Sequence, residues 1–64
     1  MDTDALKLVR AKLRERMNAL ADDVATGAAR DFAEYRHLCG VIHGLALAER
    51  EVLDLLDIAE REDR

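Results

Sequence analysis

Val24-Ala25-Thr26-Gly27-Ala28-Ala29-Arg30-Asp31-Phe32-Ala33-Glu34 is the stretch on which the fold turns, because it closes one helix and opens the next. Gly27 suits the left-handed residue that commonly ends a helix. Asp31 reads as an N-cap, with Glu34 three positions on to complete a reciprocal capping box. Upstream, Leu6, Val9, Leu13, Met17, Leu20 and Val24 recur at steps of three and four, so they form one helical stripe that Thr3 or Asp4 can cap. Downstream, Phe32, Tyr35, Leu38, Ile42, Leu45, Val52, Leu56 and Ala59 continue as a second stripe with no proline to interrupt it. A connection of about five residues joins antiparallel neighbours. The chain is therefore expected to be all-α, a two-helix antiparallel hairpin in which helix two is longer than helix one. Residues 1–64 form one unit, with helix one over about 4–25 and helix two over about 32–61.

At about 1.5 Å per residue, the longer helix should outreach its partner by roughly 10 Å. The excess is expected at the C-terminal tip, where Leu53, Leu55, Leu56 and Ile58 then lack an intramolecular partner, and so dense an apolar tip reads as a binding surface. Charge placement favours the antiparallel arrangement. Lys7, Arg10, Lys12, Arg14 and Arg16 come early, whereas Glu49, Glu51, Asp54, Asp57 and Glu60 come late, and a hairpin sets the two groups side by side.

Half of the 64 residues are hydrophobic by a broad count, yet only one Phe and one Tyr are present and there is no Trp, so the core must be lean. A single cysteine offers no internal disulfide, which leaves self-association or the surface of another protein as the remaining source of stability. Charges interrupt every apolar stretch and the opening residues are acidic, so a soluble, intracellular product without a membrane span is expected. A net charge of −4 argues against nucleic-acid binding by general phosphate neutralisation.

Three constellations invite a chemical reading. Gly40, Gly44 and Ala48 form a small-residue ridge in mid-helix; each glycine costs about 1 kcal/mol relative to alanine, which close helix approach would offset. The hairpin partner is the simpler occupant of that groove, and a helix from another chain is the alternative. His37, Cys39 and His43 are the conventional soft metal ligands, but only Cys39 and His43 share a face, so a buried thiol flanked by surface histidines is expected and no metal or cofactor. Lys7, Arg10 and Arg14 group on one face while Lys12 and Arg16 lie on another, so few phosphates are within reach of either. The carboxylates read as solvated. With no serine, no glycine-rich phosphate loop and no pocket to exclude water around Cys39, no catalytic residue is assigned and no enzymatic activity is expected.

The segment from Gly27 to Leu56, through Asp31-Phe32-Ala33-Glu34-Tyr35-Arg36, then Gly40 and Gly44, then Leu45-Ala46-Leu47-Ala48-Glu49-Arg50-Glu51, resembles short helical-hairpin proteins encoded among the structural genes of tailed bacteriophages. The likeness covers about half of the chain. It implies a minor virion component seated on capsid, portal or tail proteins, found in the virion and in the host cytoplasm during assembly. The expected partners are phage structural proteins or further copies of the chain, in a homo-oligomer or a larger assembly. Gly40, Gly44, Ala48, Val52, Leu53, Leu55, Leu56 and Ile58 are the expected protein-interface residues. The alternative is a regulatory hairpin dimer, similar in size and acidity to plasmid copy-number regulators built as a four-helix bundle of two hairpins, that binds RNA or inhibits a host protein.

Overall fold

A computed structural model describes residues 2–62; residues 1, 63 and 64, which the expected 1–64 unit includes, lie outside that description. Two helices account for nearly all of it: α1 spans Thr3–Ala25 and α2 spans Phe32–Glu62. The chain is an all-α hairpin, and α2, at 31 residues, is longer than α1, at 23.

Both helix ends beside the connection are closed by local chemistry. Ala28 donates its amide to the Asp23 carbonyl at 2.9 Å and Gly27 donates to Val24 at 3.2 Å, the bond pair of a Schellman motif. Gly27 stands at φ +86°, the conformation this motif requires and one that a side chain would strain. Asp31 caps α2 by accepting from the Glu34 amide at 2.8 Å. The reciprocal half of the expected capping box is not made, because the Glu34 carboxylate instead pairs with Arg30 Nε at 2.9 Å. At the other end of α1 the cap is Asp2 rather than Thr3 or Asp4. One Asp2 oxygen accepts from the Asp4 and Ala5 amides, which makes Thr3 the first helical residue.

The inward face of α2 follows steps of four and three without a break: Leu38, Ile42, Leu45, Glu49, Val52, Leu56 and Ala59 are all half-buried or buried. Leu6, Leu13, Met17, Leu20 and Val24 of α1 answer them, whereas Val9 is exposed. Among the described residues, only Met17, Leu56 and Ala59 form a buried apolar core. The core is thin because two helices meet along one seam, in a body measuring 50 × 15 × 12 Å.

The excess length of α2 lies at the opposite end from the one expected. Arg14 reaches Glu49, which sets the register. Counting equally in both directions from that pair, Thr3 comes level with about Glu60 and Ala25 with about Leu38. The first turns of α1 therefore cover the C-terminal part of α2, and this is why Leu56 and Ala59, near that tip, are the most enclosed apolar residues of their helix. What projects beyond α1 is the loop end of α2, where Phe32 and Tyr35 stand exposed with ring centroids 6.2 Å apart.

Candidate functional site

The residues expected to bind other chains divide into two sets. Leu56 belongs to the hairpin seam, and Val52 and Leu53 are half-buried beside it. Leu55 and Ile58 point outward, at 40% and 47% exposure. Gly40 and Gly44 are exposed, and a Cβ built on either meets nothing within 4 Å among the described residues. The glycine groove thus faces away from α1, so the hairpin partner, its simpler expected occupant, does not fill it. Ala48 is half-buried at the margin of the seam.

Helical spacing gathers the outward set into a second stripe on α2. Val41, Gly44, Ala48, Glu51, Leu55 and Ile58 follow steps of three and four, so they line up on one side of the helix, next to the seam stripe and turned about a quarter-circle from it. Every member except Glu51 is apolar or small. The handedness of two antiparallel helices puts Val9, Lys12 and Arg16 of α1 on the same side of the hairpin. Lys12 and Arg16 line a shallow depression with Glu15 and Ala19, and neither forms an ion pair among the described residues.

The basic residues separate by face as their spacing indicates. Lys7, Arg10 and Arg14 line one open depression on α1, together with Glu15, Asn18 and Asp22. Arg14 is already committed within the fold. Its Nε donates to one Glu49 oxygen at 2.9 Å and its Nη2 donates to the other at 2.5 Å, a two-point pairing of guanidinium with carboxylate. The depression retains Lys7 and Arg10 beside the carboxylates of Glu15 and Asp22, a poor surface for tracking phosphates.

Glu49 departs from the solvated position expected of the carboxylates. It is not solvated: it retains 6% of its exposure, at a seam position that the four-and-three spacing reserves for an apolar side chain. The signal was present in the sequence, since Leu45 and Val52 continue the seam only if Glu49 lies between them. Arg14, itself half-exposed, makes the burial tolerable by satisfying both oxygens.

Comparison with protein-family models, curated proteins and solved structures gives no match. The assignment therefore rests on geometry. His37 and His43 are exposed and Cys39 is half-buried; among the described residues no group of three or more His, Cys, Asp or Glu side chains is placed to hold a metal ion. Cys39 lies one turn beyond Tyr35. Its thiol, by hydrogen bonding and by its negative charge when ionised, raises the Tyr35 phenol above the ordinary tyrosine range. No described helix is long and apolar enough to cross a membrane.

Proposed function

We propose that this chain is a non-enzymatic structural or assembly protein, a minor virion component of a tailed bacteriophage that docks on capsid, portal or tail proteins through apolar helix faces. The observation that carries the docking is the uncovered stripe on α2, where Val41, Leu55 and Ile58 face outward from a hairpin that encloses few apolar side chains of its own. Covering such a stripe removes apolar surface from water, at roughly 25 cal/mol per Å². The resemblance of residues 27–56 to phage structural-gene products supplies the setting. The RNA-binding alternative is weakened by the withdrawal of Arg14 into the Glu49 pair, which leaves two cations on that face.

The test is sedimentation of particles from cells producing the chain, followed by quantitative mass spectrometry of the particle band. The chain should travel with the particles at a fixed copy number, and Leu55→Asp with Ile58→Asp should release it. Leu56→Asp is unsuitable for this purpose, because Leu56 holds the hairpin together and its loss would mimic a docking defect. Particles that assemble without the chain, with all of it left in the soluble fraction, would overturn the proposal.

A further inference from the structure

The seam repeats every seven residues on both helices. On α1, Leu6, Leu13 and Leu20 form one series and Met17 with Val24 another. On α2, the series of Ile42, Glu49 and Leu56 continues one step back to Tyr35, outside the present seam. Arg14 adjoins Leu13 and pairs with Glu49, so Leu13 is level with Glu49, Leu20 with Ile42 and Leu6 with Leu56. Sliding α2 by one heptad, about 10.5 Å, leaves the same α1 residues in the seam. Tyr35 then comes level with Leu20, Ile42 with Leu13, and Glu49 with Leu6.

We propose that the hairpin has two registers one heptad apart, in which Arg14 and Lys7 are alternative anchors for the single buried carboxylate, Glu49. Lys7 stands seven residues before Arg14 and lines the same depression. The slide therefore brings its ammonium to the place beside Glu49 that the guanidinium now holds, and Lys7 forms no ion pair among the described residues. A charge buried in an apolar seam selects among heptad-related registers, because each register that leaves it unpaired is penalised. The slide is open in one direction. Its reverse sets Ala21 beside Glu49, which leaves the carboxylate without a cation, and lifts Asp31 about 10 Å farther from Ala28, although the three-residue step between them spans only about 10 Å in all. The forward slide lowers Asp31 to the level of Val24, within that reach. The closures at Gly27 and Asp31 are local to their own helices, so both survive the movement.

The observed register is the lower in free energy. The guanidinium meets Glu49 at two points where an ammonium meets it at one, and Leu56 and Ala59 are enclosed. In the second register those two residues leave the seam, and Tyr35, now 43% exposed, enters it. The overhang thereby passes from the loop end of α2 to its C-terminal tip, where Leu56 and Ala59 join Leu55 and Ile58 in solvent. One heptad of travel decides which apolar end the chain presents, by the kind of helix displacement that proteins make in microseconds to milliseconds. The device belongs to the hairpin itself and holds whatever the chain docks on.

Disulfide trapping in a Cys39→Ala background, at a concentration where the chain is monomeric, tests it. Leu20→Cys with Tyr35→Cys, and separately Thr3→Cys with Val52→Cys, are level only in the second register; in the observed one each pair is offset by about 10 Å, beyond the reach of a disulfide. Both should bridge within one chain, more slowly than Thr3→Cys with Ala59→Cys, which is level in the observed register. Asn18→Cys with Tyr35→Cys and Thr3→Cys with Asp54→Cys have similar separations along the chain but turn one cysteine away from the seam, so they report bridging through unfolding and should be at least tenfold slower still. Lys7→Ala should slow the two second-register bridges about fivefold and leave the others unchanged, because Lys7 serves only that register. Circular dichroism of the reduced chains checks that each variant keeps the parent helicity, and the Thr3 and Val52 pair leaves Leu20 and Tyr35 intact. Second-register bridges that form no faster than the outward controls, or that ignore Lys7→Ala, would overturn the proposal.

Discussion

Removing the guanidinium of Arg14 should destabilise the hairpin far more than removing an ordinary surface charge, and removing its partner should do the reverse. Arg14→Ala strands the Glu49 carboxylate at 6% exposure with neither oxygen satisfied. Breaking a fully buried pair costs about 3–5 kcal/mol, but Arg14 is half-exposed and water can follow it, so about 2 kcal/mol is the appropriate figure here. In a domain of this size each kcal/mol moves the melting temperature by roughly 4–8 °C, so Arg14→Ala should melt about 10 °C lower. Glu49→Leu fills the same seam position with an apolar side chain and returns Arg14 to solvent. Burial of a leucine contributes roughly 1.5–3 kcal/mol, which exceeds the net value of the lost pair, so this variant should be about 1 kcal/mol more stable. Once Glu49 is leucine, Arg14→Ala should cost less than about 0.5 kcal/mol, as at other exposed sites. Thermal melts followed at 222 nm, at one fixed protein concentration, complete the double-mutant cycle. Equal losses from Arg14→Ala in both backgrounds would refute the reasoning.

Leu56→Asp should abolish most of the helical signal, since a charge in the seam and the lost packing together cost about 4 kcal/mol or more; Leu55→Asp should leave hairpin helicity within about 10% of the parent in dilute solution. Gly40→Ala should stabilise by about 1 kcal/mol because its added methyl meets open space, whereas Gly27→Ala should destabilise by about 1 kcal/mol because φ is +86° there, and chemical denaturation separates the two signs. The single tyrosine allows a clean alkaline titration at 295 nm: Tyr35 should ionise above free tyrosine, and Cys39→Ala should bring the midpoint down. Because the folded state favours the neutral phenol, whatever stability this contact supplies is present below the tyrosine range and lost as pH rises through the raised midpoint.

The number, order and approximate bounds of the helices were legible because short-range chemistry fixes them. Gly27 and Asp31 act on their nearest neighbours, and three-and-four spacing declares a helix wherever it occurs. Residue type does not single out Asp2 as the cap, because Thr3 and Asp4 are equally good candidates, and only the path of the first turn chooses among them. Register was the larger gap. Helix lengths give the size of an overhang but not the end at which it falls, and the sequence marked no pairing between the helices strongly enough to decide. Arg14 and Glu49 decide it, and the consequence reaches the candidate site: Leu56 moves into the seam while Leu55, its immediate neighbour, stays outside. The ridge of Gly40, Gly44 and Ala48 was visible as spacing, but its direction follows from the seam, which becomes clear only when Glu49 is counted as one of its members.

The closed turn also sets an order of events for folding. With both helix ends beside the connection satisfied by local hydrogen bonds, the first level pair across the seam, Val24 with Leu38, requires closure of only the thirteen residues between them. Loops of that length close in about 0.1 µs or less, and each later contact extends a seam already begun. Arg14 and Glu49 meet midway along this zipper, after the turn and its neighbouring layers. Such a topology folds quickly, and an interaction formed after the rate-limiting step governs how long the hairpin lasts rather than how fast it forms. The pair that fixes the register is therefore expected to act as a latch: Arg14→Ala should leave the folding rate nearly unchanged and speed unfolding, which stopped-flow kinetics would read, and an equal slowing of folding would refute it.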